Sequence, residues 1–199
     1  MNALSPLPPV VPAGTMSRAD QPVFRLPNGF RLRPWREPDA DVLVRSCLDP
    51  EIQRWNRPAP LSRDGARAKI EHWRGRWRDE QAAIWAVVPP GGTAPVGLVG
   101  LADVDLGGGT AEFLYWLLPE GRGRGAVAGA TRRISRWALD GLGLHRLRIT
   151  HSVANPASCH VAARAGFALE GTMRSALLHA DGWHDEHLHA RVQGDPGAP

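Results

Sequence analysis

The stretch Tyr115–Ala130, YWLLPEGRGRGAVAGA, places an apolar run, a turn and a glycine-rich helix start in direct succession. Tyr115, Trp116, Leu117 and Leu118 read as a buried strand that Pro119 cannot continue, because proline has no N–H to donate to a ladder. Gly121, Gly123 and Gly125 let backbone approach a ligand closely. The helix that follows presents its first N–H groups without intrahelical acceptors and with the positive end of the helix dipole behind them. Phosphate oxygens can take the missing places, and a pyrophosphate fits that geometry. The same segment would also serve as a plain turn between a strand and a helix, so the choice depends on what lies downstream.

Arg146–Arg174, RLRITHSVANPASCHVAARAGFALEGTMR, reads as an alternating strand, an Asn-Pro turn, a short helix ending at Gly166 and a strand opened by Phe167. With YWLLPEGRGRG, NPAS and AGFALEG in this order and spacing, the chain resembles the GNAT superfamily of N-acetyltransferases from about Phe30 to Val192. The resemblance is closest to its ribosomal-protein N-terminal acetyltransferase (Rim-type) branch. It implies an α/β fold with a mixed, mostly antiparallel central sheet of about six or seven strands and about four flanking helices.

The resemblance also implies acetyl-CoA as cosubstrate. The strand before the glycine loop would splay from its neighbour at a bulge, and Leu117 and Leu118 would receive the pantetheine arm as an added strand. The N–H groups of Gly123, Arg124, Gly125 and Ala126 would take the pyrophosphate, with the side chain of Arg122 or Arg124 reaching a phosphate. Asn155 would order its turn and touch the cofactor. Ser158 would protonate or hold the leaving thiolate, or else serve as a hydroxyl capping backbone N–H groups. Glu112 matches the acidic position that receives the amine's proton through water, its other reading being an ion pair with arginine. Glu170 is the second candidate base and reads more readily as an arginine's partner. Glu120 departs from the family, which often has Gln or Arg there.

Acyl transfer from a thioester needs a neutral amine, a stabilised oxyanion and a proton for the thiolate. Deprotonating an α-amine of pKa about 7.7–8.0 costs roughly 1 kcal/mol at pH 7, against roughly 4.6 for lysine at about 10.4. The sequence therefore reads as an acyl-CoA-dependent N-acyltransferase moving acetyl directly to a primary amine, either a protein N-terminus or a small molecule. Succinyl or another acyl group is the alternative donor. Trp35, Trp55, Asn56 and Arg57 are acceptor-wall candidates by position. Trp73–Glu80, WRGRWRDE, interleaves arginine with tryptophan as an RNA-associated module does. Trp73 and Trp77 share a helix face with Ile70, however, so nucleic acid is not expected. No metal is expected either: the chemistry needs none, His184, His187 and His189 form one cluster without a second ligand motif, and Asp185 and Glu186 read as surface.

At 199 residues and 43% hydrophobic content the chain suits one acetyltransferase domain over 23–193. Residues 1–22, with Pro6, Pro8, Pro9, Pro12 and Pro22, read as a disordered tail whose removal changes nothing, and 194–199 as a flexible end. Neither a signal peptide nor a long apolar run is apparent, so a cytoplasmic protein off the membrane is expected. A homodimer is compatible with the sequence. Cys47 and Cys159 form no CxxC, and Cys159 reads as a small buried thiol. Of the 24 basic residues only Lys69 is not arginine, and a formal charge of +4 favours anionic partners.

The elements expected to hold these residues start with a strand over 30–34 and a helix over 38–48 with Val42, Leu43 and Leu48 inward. A short helix follows, then a Ser62-capped helix to about Glu80. Strands over 83–88, 96–105 and 110–118 come next. A helix over 125–142 turns Val127, Ala130, Ile134, Trp137 and Ala138 inward, with Arg132, Arg133 and Arg136 on its other face. A strand over 146–153, a helix over 156–165 and strands over 167–174 and 183–192 complete the chain.

Overall fold

The computed structural model describes residues 7–195. Eight strands form one sheet: β1 (Phe24–Arg25), β2 (Arg31–Pro34), β3 (Ala83–Val88), β4 (Gly97–Asp105), β5 (Thr110–Leu117), β6 (Arg146–Ser152), β7 (Ala168–His179) and β8 (Gly182–Val192). Their order is β1-β2-β3-β4-β5-β6-β8-β7. Every neighbouring pair is antiparallel except β5–β6. The helices are α1 (Ala40–Ser46), α2 (Pro50–Asn56), α3 (Arg63–Arg78), α4 (Ala126–Arg136) and α5 (Pro156–Arg164). The short β1 takes the sheet above the expected six or seven strands, and α2 is the expected short helix, which makes five helices against the expected four or so. Among the described residues no helix is long and apolar enough to cross a membrane.

β3 reads AIWAVV and is buried along its whole length, because helices cover both sheet faces. Ile134 and Ala138 after the glycine loop, and Ala162 of α5, pack with Phe113, Leu147 and Ile149 on one face. Val42 and Leu43 of α1 and Ala66 and Ile70 of α3 pack with Ile84 and Leu98 on the other. α4 passes into a wider turn over Trp137–Leu142 that Gly143 ends at φ 91. Leu48 does not reach the core: α1 stops at Ser46, and Leu48 is 71% exposed.

The expected disordered tail is corrected over residues 7–22. Val11 and Met16 are each 2% exposed and belong to the larger apolar cluster. The N–H groups of Val10 and Val11 bond the carbonyls of Gly107 and Leu106. One carboxylate, Glu80, accepts from the N–H of Gly14 at 2.6 Å, Met16 at 2.6 Å and Ser17 at 2.9 Å. Two indoles donate to the same segment, Trp77 to Ala19 O and Trp85 to Pro22 O. The proline-rich composition hid partners that all come from far along the chain. Residues 1–6 of the expected tail, and 196–199 of the expected flexible end, lie outside the described residues; Gly194 and Asp195 close a turn on Val192.

The feature that positions the site is a fork. β5 and β6 pair only over Thr110↔Arg146, Ala111↔Leu147 and Glu112↔Arg148. Beyond Glu112, β5 stays with β4 as far as Leu117↔Gly97, while β6 stays with β8 as far as Ser152↔Glu186. The accompanying register irregularity lies between Ala102 and Asp105 of β4, where Asp103 has φ 48.

Candidate active site

The fork opens a cavity of about 1010 Å³ between Tyr115 and Leu117 of β5, the glycine loop, the arginines of α4 and the first turn of α5. Leu118 N–H bonds Val96 O, so the backbone alternation of an antiparallel pair turns the groups of Leu117 and Tyr115 toward the fork. Arg122 Nε holds Leu117 O at 2.9 Å, and Asn56 Nδ2 holds Tyr115 O at 3.1 Å. Leu117 therefore faces the cavity as expected. Leu118 does not: its N–H is spent on β4 and its side chain, 4% exposed, packs in the opposite cluster.

Gly123 and Gly125 adopt φ 72 and 68, left-handed backbone that a β-branched residue resists, and Gly125 stands at the N-cap of α4 immediately before Ala126. Both glycines, Arg124 and Ala126 line the cavity. Arg122 lines it too, but its Nη2 is 2.6 Å from Asp49 Oδ1, the carboxylate that also caps α2 through Ile52 N. Arg122 thus ties the loop to α2. The Arg124 guanidinium lies 4.9 Å above the Phe30 ring. Arg132, Arg133 and Arg136, assigned by helical periodicity to an outer face, line the same cavity and surround it with positive charge.

Asn155 and Ser158 both line the cavity, and the structure separates their roles. Asn155 Oδ1 accepts from Ser158 N at 3.1 Å and caps α5. The Ser158 hydroxyl is thereby released from capping, and its Oγ lies 2.6 Å from the Tyr115 hydroxyl. Burial pushes the Tyr115 pKa up to about 12, more than the Ser158 hydrogen bond lowers it. Tyr115 stays protonated at physiological pH and can donate to Ser158, leaving the serine proton aimed elsewhere.

The carboxylates lie on the other sheet face. Glu112 Oε2 accepts from Arg148 Nε at 2.7 Å and Oε1 from Thr150 Oγ1 at 2.5 Å. It borders a smaller hollow of about 360 Å³ rather than the main cavity. Glu170 forms a bidentate pair with Arg146, and that hydrogen bonding holds its carboxyl below the usual range.

Glu186, read as surface, is 7% exposed. It faces Ser152 of β6 and Met173 of β7 and, among the described residues, accepts no hydrogen bond. Burial, and then the charge of Glu112, push its carboxyl above the ordinary range. His184 stands nearby with Nδ1 at 2.7 Å from Ser152 Oγ and Nε2 at 2.9 Å from Asp181 Oδ1. The alternation of β8 carried the signal for Glu186, since it shares a face with Leu188 and Ala190.

A family model described as the acetyltransferase (GNAT) domain matches residues 30–168. The chain belongs to the GNAT acetyltransferase family. YdaF of Bacillus subtilis (strain 168), provisionally named a ribosomal N-acetyltransferase, is 30% identical over 128 residues, 64% of this chain and 68% of the relative. A ribosomal-protein-serine acetyltransferase of Escherichia coli (strain K12) is 32% identical over 97 residues, 49% of this chain and 54% of the relative. Among solved structures, RimL, a ribosomal L7/L12 alpha-N-protein acetyltransferase in complex with coenzyme A, shares the fold. Its TM-score is 0.76 at 20% identity, over 88% of this chain and 100% of that one.

The remaining candidates of this GNAT chain divide. Trp55 and Asn56 line the cavity mouth, with the Arg54 guanidinium 4.5 Å above the Trp55 ring and His179 at its edge. Arg57 does not line it: at φ 49 it ends α2 and donates Nη1 to Leu178 O at 2.7 Å, fastening α2 to β7. Trp35 is no wall residue. It is 2% exposed, between Trp73 and Trp116 at ring distances of 5.6 and 6.1 Å. The tryptophans of WRGRWRDE are likewise spent on packing, Trp73 against Trp35 and Trp77 against Trp137.

Proposed function

We propose that this acetyltransferase moves acetyl from acetyl-CoA directly onto the α-amine of a protein N-terminus, in the cytoplasm. The carrying observation is the β5–β6 fork, with the helix N-terminus and arginines at one end of its cavity and the Tyr115–Ser158 pair beside it. In this reading the pantetheine arm lies along β5, the pyrophosphate meets the N–H groups from Gly123 to Ala126, and the arginines of α4 balance its charge. The amine nitrogen attacks the thioester carbon, a C–N bond forms and the C–S bond breaks. The thiolate takes the Ser158 proton, Tyr115 replaces that proton and regains its own from solvent, and the amine proton goes to Glu186 through water, with Glu112 keeping Glu186 basic.

An α-amine fits this machinery because its deprotonation costs only roughly 1 kcal/mol at pH 7, against roughly 4.6 for lysine, and so asks less of a carboxylate base. The names of the curated relatives support the same acceptor class. The test follows CoA thiol release from acetyl-CoA and from succinyl-CoA with three acceptors: a peptide with a free N-terminus, the same peptide N-acetylated but carrying lysine, and a polyamine. Turnover with acetyl-CoA and the free N-terminus alone is expected. Turnover confined to lysine, polyamine or succinyl-CoA would overturn the assignment.

A further inference from the structure

Three histidines and a cysteine that the acetyl-transfer reading does not use converge between the sheet and α5. His151 comes from β6, His187 and His189 from β8, and Cys159 from α5. One ligand atom from each lies within 4.8 Å of all the others. His151 and His189 are 6% and 3% exposed. Nε2 of His151, Nδ1 of His187 and both ring nitrogens of His189 are buried without a hydrogen-bond partner; the Phe167 backbone comes near His189 without reaching bonding geometry. Buried polar atoms are normally paired, so unpaired nitrogens on three imidazoles, one from each ring converging on one thiol, point to a ligand. His151 Nδ1 lies 2.8 Å from Ser152 O. Donation there fixes the tautomer that leaves Nε2 unprotonated toward the cluster, the usual second bond of a metal-bound imidazole.

We propose that His151, Cys159, His187 and His189 bind Zn²⁺ in a closed tetrahedral site that staples α5 to the sheet. Three imidazoles and a thiolate are a zinc donor set, and tetrahedral ligands at zinc bond lengths stand about 3.3–3.6 Å apart, within reach of small side-chain rotations from the observed cluster. On binding, the Cys159 proton leaves to solvent, the imidazoles ligate as neutral rings and no redox change occurs. All four protein ligands are filled, so the metal is structural. Cys159 directly follows Ser158, and the metal therefore holds the start of α5 where Ser158 meets Tyr115. The sequence reading set a metal aside for want of a second ligand motif. The fold supplies that motif from β6 and α5, while His184 turns to the opposite face.

The test uses the full chain, stripped with a chelator and titrated with Zn²⁺ or with Co²⁺ as a spectroscopic substitute. One equivalent is expected to bind, and Co²⁺ is expected to show a thiolate charge-transfer band with the strong visible bands of a tetrahedral ion. Cys159→Ser should abolish that band and weaken Zn²⁺ by at least the roughly 10- to 100-fold that even an outer-ligand loss costs. His189→Gln should weaken Zn²⁺ similarly, and His145→Gln, on the surface, should leave both readouts unchanged. Folded wild-type protein that binds Co²⁺ without a thiolate band, or binds no metal, overturns the proposal. So does a Cys159→Ser variant that binds Zn²⁺ as tightly as wild type.

Discussion

Replacing Ser158 with alanine separates proton donation from helix capping. Because Asn155, not Ser158, caps α5, and does so through the Ser158 backbone N–H, the variant keeps its cap and should keep its fold. What it loses is the hydroxyl 2.6 Å from Tyr115. A positioned acid contributes about 10²- to 10⁴-fold, and a thiol of pKa about 8.5 leaves poorly as a bare thiolate at pH 7, so kcat should fall by about 10²-fold or more with little change in acetyl-CoA affinity. Tyr115→Phe leaves the serine in place and removes one hydrogen bond, worth about 0.5–1.5 kcal/mol or about 2- to 13-fold. In the Ser158→Ala background the tyrosine change should cost nothing further, because the group it serves is gone. The assay is thiol release under saturating acceptor for wild type, both single variants and the double variant. Wild-type turnover in folded Ser158→Ala, or a tyrosine effect of equal size in both backgrounds, refutes the relay. A larger loss from Tyr115→Phe than from Ser158→Ala would make the tyrosine the direct donor.

Glu186→Gln should lower kcat/KM by about 10²-fold or more, whereas Glu112→Gln should move the acid limb of the pH–rate profile to lower pH by removing the neighbouring charge that raises Glu186. A carboxyl raised by folding favours the folded state below its ordinary range and loses that favour as pH rises through the folded value, so Glu186→Gln should also raise Tm at pH 7 and not in acid; an unchanged Tm difference across pH would contradict the burial argument. Gly125→Val forces a β-branched residue to φ 68, a strain of about 1–2 kcal/mol, and puts a side chain at the loop, so calorimetric CoA affinity should fall sharply; unchanged affinity in folded protein would remove the loop from the pyrophosphate site. Met16→Ala should cost about 2–5 kcal/mol by opening a cavity in the core, at about 2–4 °C of Tm per kcal/mol; a Tm within one degree of wild type would mean the N-terminal segment is not part of that core.

What was legible in the sequence is what short-range chemistry determines. Ser62 as a cap, the breaks at Pro119 and Gly166, and the glycine loop all depend on neighbours within a few residues, and the elements around them start within a residue or two of where the pattern put them, although β7 runs on to His179. Misplaced residues had distant partners. Met16 is held by Glu80, and Trp35 is enclosed by Trp73 and Trp116. Glu112 sat on the expected strand, but Arg148 and Thr150, which bind its oxygens, follow only from the pairing of β5 with β6. The grouping of His151, Cys159, His187 and His189 was hidden for the same reason, since three separate elements contribute to that cluster.

The alternation of β5 would let one strand serve both proposed proton transfers. Phe113 packs in the cluster beneath α4 and α5, and Tyr115 and Leu117 pack against that cluster, whereas Leu114 and Trp116 pack with α1 and α3, the face that Glu112 shares by period two. Registering β6 on β8 places Glu186 opposite Ser152, two positions along from Thr150, and so on the face of Glu112. The proposed donor pair, Tyr115 and Ser158, and the proposed acceptor, Glu186, therefore lie on opposite sides of the sheet, joined only through the gap where β5 and β6 part. A thioester lying in that gap would send its thiolate toward α5 and receive its amine from the other face. A proton released by the amine could then not reach Ser158 without passing the reacting carbon. Parallel pairing continued along β5 and β6 would close that gap, which is why the loss of pairing after Glu112, more than any single side chain, would make the proposed arrangement capable of acyl transfer.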